Sequence, residues 1–210
     1  MKKLLTLTLA GLLAVGLSGC GLHENTATPE KPAIYLYPEE ETQVSVTLEL
    51  DGTFTSTYPD YGEGWTVTAA PDGTLTDPNT GRTYYCLFWE GIIDRQFDLS
   101  AGFCVAGEDT AAFLEDALAR LGLTEREANE FIIYWLPRME GNPYNLISFQ
   151  TEAYTDAAEL TIDPAPDTLI RVFMTWKGLD APVEVEPQKL TAPERAGFTA
   201  VEWGGAELGK

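Results

Sequence analysis

Glu90 and Glu202 are the residues of this chain best set for acid–base chemistry. They lie in Leu87-Phe88-Trp89-Glu90-Gly91 and Val201-Glu202-Trp203-Gly204-Gly205, each at the end of an apolar run beside tryptophan and glycine. Partial loss of water at such a strand end favours the neutral carboxyl and suits it to donate a proton. Paired with Asp94 or Asp98, such a glutamate would follow the two-carboxylate logic of glycoside hydrolysis, with the tryptophans as a sugar platform. The preferred reading is plainer: a solvated glutamate beside a core aromatic, since nothing in a linear sequence brings Glu90 and Glu202 together.

Other side chains carry weaker suggestions. Asp72, Asp77 and Asn79 lie in a glycine-containing stretch, DGTLTDPNTG, that supplies oxygen ligands of the kind calcium takes. The spacing departs from the EF-hand, and the same residues are hairpin turn chemistry, which is preferred. Arg138, Arg171 and Arg195 are scarce cations in an acidic chain, suited to internal salt bridges or to an anionic ligand. Trp89, Trp203 and the tyrosines Tyr35, Tyr37, Tyr84 and Tyr85 are first of all core material, and some of them are candidates for a binding face.

The absences are as informative. His23 is the only histidine, so Ser-His-Asp and Cys-His catalysis and the usual zinc sites have no histidine to use beyond it. Neither a P-loop nor a strand followed by GxGxxG occurs, and calcium apart, no cofactor is expected. With 33 acidic against 13 basic residues, the net charge of −20 opposes nucleic acid and anionic headgroups.

These residues need elements to hold them. Gln43–Leu50 alternates apolar and polar, and strand signals recur at 33–37, 53–58, 65–69 and 83–89, separated by turns. Beyond Gly107 the period becomes helical: Phe113, Leu114, Ala117, Leu118 and Leu121 form one face, with Asp109 or Thr110 as N-cap and Gly122 as the stop. Thr124-Glu125-Arg126-Glu127 is a capping box that starts a shorter second helix. That helix runs into Phe131–Leu136, read as a buried strand closed by Pro137, and further strands are expected at 145–149, 169–176, 183–185 and 198–203. The fold class is α+β: an antiparallel β-rich sheet or sandwich over 32–90, then an α+β portion with a helix pair over 91–210, packed as one unit. Cys86 and Cys104 are read with equal weight as a disulfide or as two buried thiols.

The first twenty residues supply an address. Two lysines, an apolar run from Leu4 to Leu17 and Leu17-Ser18-Gly19-Cys20 resemble the lipobox of bacterial lipoproteins. That resemblance implies a signal peptide over 1–19, lipidation of Cys20 and a tether over 20–31, holding the protein on the extracytoplasmic face of the cell membrane. The later motifs KPAIYLYP (31–38), YPDYGEGW (58–65), LFWEG (87–91), FIIYWLP (131–137) and VEWGG (201–205) resemble an uncharacterised family of bacterial lipoproteins of the Gram-positive type. This second resemblance carries over no activity and no site residues. The expectation is a non-catalytic binding or scaffolding domain at the cell surface whose partner, besides the membrane, is a glycan or protein. The alternative is a carboxylate-dependent hydrolase acting on a cell-wall glycan or another saccharide.

Overall fold

The computed structural model describes residues 27–209; the leader, Cys20 and His23 lie outside them. In chain order the strands are β1 (Glu30–Tyr37), β2 (Thr42–Leu50), β3 (Gly52–Tyr58), β4 (Trp65–Ala69), β5 (Leu75–Thr76), β6 (Thr83–Tyr84), β7 (Leu87–Ile93) and β8 (Phe103–Ala106). A 3₁₀ turn leads into α1 (Thr110–Arg120) and α2 (Glu125–Met139). The chain closes with β9 (Tyr144–Gln150), α3 (Glu152–Ala157), β10 (Ala158–Asp163), β11 (Thr168–Leu179) and β12 (Thr199–Glu207).

The strands form two sheets, one of seven in the order β3-β7-β1-β12-β11-β9-β8 and one of five in the order β10-β2-β4-β5-β6. All ladders are antiparallel except β11–β12. The larger sheet is covered on both faces. Helices α1 and α2 pack Leu114, Leu118, Phe131 and Trp135 against Tyr35, Val201 and Trp203 on one side. On the other, Val44, Val46, Trp65 and Val67 of the smaller sheet meet Ile34, Leu36, Trp89 and Ala200. The fold is α+β with a helix pair, built as helix, sheet, sheet.

The sequence patterns follow from these layers. β2 has one solvated face and alternates strictly, burying Val44, Val46 and Leu48. β12 lies mid-sheet between two layers and is buried along eight of its nine residues, so its pattern is nearly continuous. Glycine in VEWGG serves close approach: a Cβ on Gly205 would stand 2.5 Å from the Met174 carbonyl oxygen and 2.8 Å from the Trp135 ring.

The expected helix pair is present, and the capping box at Thr124 is closed in both directions. The segment Phe131–Leu136 is a correction, since it is not a strand but the body of α2, which extends to Met139 with Pro137 in its last turn. Its buried apolar residues are Ala128, Phe131, Trp135 and Met139, a spacing of three and four, whereas Ile133 is 75% exposed. Apolar side chains beyond the core-facing stripe made a helix look like a buried strand. Proline is tolerated because the one bond it removes is to the carbonyl of exposed Ile133.

Residues 183–185 form no strand either; this stretch passes the outer edge of β8 with one bridge, Ala101 to Glu186. β5, β8, β10 and α3 have no counterpart in the sequence reading. The 90/91 division falls inside β7, and each sheet takes strands from both sides of it. Cys86 and Cys104 are free. Cys86 leads into β7 while Cys104 lies on edge strand β8, five strand-to-strand steps away, roughly 24 Å at about 4.8 Å per step and far beyond disulfide reach.

Candidate binding cleft

Glu90 and Glu202 do not share a site. Leu87 and Trp89 of β7 face the smaller sheet, so Glu90 points the other way, toward α2. Val201 and Trp203 of β12 face the helices, so Glu202 points into the sandwich. There Glu202, 1% exposed, receives a hydrogen bond from Trp89 Nε1 at 3.0 Å and pairs with Arg171 Nε at 2.7 Å. The Arg171 guanidinium also lies 4.8 Å from the centroid of the Tyr154 ring. Burial would weaken the Arg171 charge, but Glu202 and Tyr154 together outweigh it and raise the pKa. Both residues are therefore committed to a buried ion pair. Glu90 receives the Lys31 backbone N–H at 3.3 Å, and Asp94 is exposed beyond the end of β7.

The remaining sequence candidates separate in the same way. Trp89 and Trp203 are fully buried on opposite faces of the large sheet, so neither is a platform for ligand. Arg138 lies over the Tyr134 ring at 4.0 Å and pairs with Glu30 at 3.9 Å. Asp72 accepts the Thr74 N–H at 2.9 Å, and Asp77 accepts the Asn79 N–H at 2.8 Å and the Thr80 hydroxyl at 2.7 Å. These are two separate side-chain-capped turns, one between β4 and β5 and one between β5 and β6. Among the described residues no cluster of three or more His, Cys, Asp or Glu side chains is placed to hold a metal ion.

A concave site rich in polar groups lies elsewhere, between the first residues of α2 and the end of β1. A cavity of about 450 Å³ is lined by Tyr35, Tyr37, Tyr85, Arg126, Glu127, Glu130 and Arg195, with the Asp72-Gly73-Thr74 turn as one wall. Two further depressions, of about 440 and 310 Å³, adjoin it and share Tyr85. The first adds Tyr58, Tyr84 and Phe88; the second adds Tyr134 and Arg138; Lys31 lines both. Tyr85 and Tyr58 are 53% and 50% exposed, an unusual outlay of aromatic surface.

Local sequence rules place these groups. Tyr35 and Tyr37 are two apart on β1, so both project toward the helices, with their rings stacked at 6.4 Å and 6°. Glu127 and Glu130 are three apart on α2 and share a face. Each glutamate meets one tyrosine and one arginine. The Tyr35 hydroxyl donates to Glu130 Oε2 at 2.6 Å, and Arg126 stands 3.6 Å from the same carboxylate. Glu127 Oε2 receives the Thr124 N–H at 2.8 Å and the Arg195 guanidinium, while Tyr37 lies beside it.

Burial, reinforced by the adjacent glutamates, pushes both the Tyr35 and Tyr37 hydroxyls well above the usual phenol range. Burial pushes the Cys86 thiol up to about 11, so it is protonated and no nucleophile at neutral pH. Two backbone positions shape the walls. Gly73 has φ +86° and brings its turn so close that a Cβ would stand 2.7 Å from the Tyr37 ring. Lys31, at φ 60°, holds a left-handed conformation rare outside glycine, with its ammonium 5.5 Å from the centroid of Phe88 and 5.2 Å from that of Trp203.

The sequence offers Tyr35, Tyr37, Tyr84 and Tyr85 as candidates for a binding face and Arg195 as a scarce cation, but does not connect them, and it marks Glu127 only as a capping residue and Glu130 not at all. The only advance signals were the i, i+2 tyrosines and the capping-box glutamate. Fold and cleft together define a three-layer α+β domain with a tyrosine-lined, charge-paired cleft beside a helix N-terminus. No protein-family model, no curated protein and no solved structure matches the chain.

Proposed function

We propose that this protein is a lipid-anchored extracytoplasmic domain that binds a ligand at the cell surface through the cleft around Tyr85, without catalysis. The address rests on the leader and Cys20, and the binding role on the cleft. The observation that carries the binding role is the combination of exposed tyrosines with carboxylates already committed to partners. Glu127 holds the start of α2 and Arg195, and Glu130 holds Tyr35 and Arg126. Groups tied in this way orient a ligand well and transfer protons poorly. A hydrolase working through Glu90 and Glu202 is not proposed, because the two project from opposite faces of one sheet.

Two measurements test the reading. Mass spectrometry of the membrane-extracted protein should find Cys20 as the first residue, carrying a diacylglyceryl group; an unmodified Cys20 on the mature chain would refute the anchor. Delipidated cell envelope should retain the detergent-solubilised protein when it is added, but not the Tyr85→Ala variant. Equal retention of the two refutes the cleft as the binding site.

A further inference from the structure

We infer that the ligand of this cleft is an uncharged saccharide chain. The inference rests on the binding role proposed above and names the chemistry of its ligand.

Three features point to it. The first is the pairing of ring faces with hydrogen-bonding rims. Tyr85 and Tyr58 offer half-exposed aromatic faces, and a sugar ring has an apolar C–H face that packs on such a surface. Beside them, Arg126 and Glu130 present planar donors and acceptors, the groups that ring hydroxyls engage in pairs. Each depression has the volume of a small-ligand site, so three of them meeting at Tyr85 suit a chain of rings rather than a single ring.

The second is charge. In a chain of net charge −20, four basic side chains (Lys31, Arg126, Arg138, Arg195) and three acidic ones (Asp72, Glu127, Glu130) line the three depressions. The cleft is therefore nearly balanced while the whole molecule repels polyanions, and it holds no surplus negative charge for a cation.

The third is the floor. The cleft lies over the faces of β1 and β7, and each strand is paired on both sides: β1 with β12 and β7, β7 with β1 and β3. The edge strands β3 and β6 reach only the depression of Tyr58 and Tyr84, so over the rest of the cleft an extended peptide would find no edge strand to add to, and recognition there falls to side chains.

The test is calorimetric titration of the mature, detergent-solubilised protein with chitohexaose, cellohexaose and α-linked mannohexaose, set against hexagalacturonate and a mixed hexapeptide pool. At least one neutral hexasaccharide should bind, and Tyr85→Ala should weaken it roughly tenfold or more, the loss expected for an aromatic anchor. Tyr58→Ala, at the far rim, should weaken it too and serves if the first variant misfolds by circular dichroism. Hexagalacturonate bound as tightly as the neutral chains overturns the uncharged assignment. Failure of all three neutral chains, or binding indifferent to both substitutions, overturns the saccharide. Tyr85-dependent binding of the peptide pool alone does so while keeping the cleft as a binding site. No Tyr85-dependent binding of any probe overturns both readings.

Discussion

Arg171 and Glu202 face each other where water does not reach, with side chains 8% and 1% exposed. Removing one partner strands the other charge, a loss of about 3–5 kcal/mol, whereas removing both leaves a site that apolar groups can fill. Arg171→Leu should therefore lower the urea midpoint sharply, and Arg171→Leu with Glu202→Leu should recover most of it; equal losses in the two proteins would contradict the ion-pair account. The tyrosines give a pH dependence. Burial and the hydrogen bond to Glu30 push Tyr134 up to about 12 from 10.0, and Tyr35 and Tyr37 shift the same way. A raised folded-state pKa means that the folded state binds the proton more tightly. Its contribution is whole below about pH 10 and is lost as pH rises toward 12 and beyond. Urea unfolding at pH 9 and pH 11.5 should show that loss, and Tyr134→Phe should reduce it.

The capping box that starts α2 was legible because it is local: Thr124 and Glu127 lie within one turn. Thr124→Ala should destabilise by about 1 kcal/mol, measured by urea unfolding. It should leave cleft binding nearly unchanged, since the Thr124 backbone N–H that holds the Glu127 carboxylate survives the substitution. The rest of α2 was misread, because Phe131-Ile132-Ile133-Tyr134-Trp135-Leu136 offers apolar side chains on every face and its period shows only once a sheet selects one stripe. That sheet also explains Gly205, and Gly205→Ala should cost about 1–3 kcal/mol by forcing Trp135 and β11 apart, read from the same unfolding curves. β8 escaped notice because its four residues, Phe103-Cys104-Val105-Ala106, do not alternate, and pairing with β9 makes them a strand; β10 does alternate, from Ala158 to Asp163, and was legible in the sequence.

Over the whole molecule, two halves that looked sequential are interlocked. β10 closes the smaller sheet and β12 passes through the middle of the larger one, so neither half owns a complete core. The same topology parts the two cysteines. Unfolding the protein in iodoacetamide without reductant should alkylate both Cys86 and Cys104, and native-state labelling with an aromatic disulfide should reach partly exposed Cys104 well before buried Cys86. Recovery of an 86–104 linked peptide would contradict the topology.

The amino-acid sequence alone determined what local chemistry can express: the alternation of β2, the helix pair, the capping box, the acidity and the lack of catalytic histidine beyond His23. It also contained every residue of the cleft. Only the tertiary structure decided which of them meet, because Tyr35 and Glu130 are 95 positions apart and are joined by the packing of α2 on the large sheet. Alternation along β7 and β12 turned Glu90 toward α2 and Glu202 into the sandwich, and the stacking of layers gave each its partners. A side chain's face depends on its own strand, but its partners depend on which strands and helices stack above it, and that is a property of the whole fold.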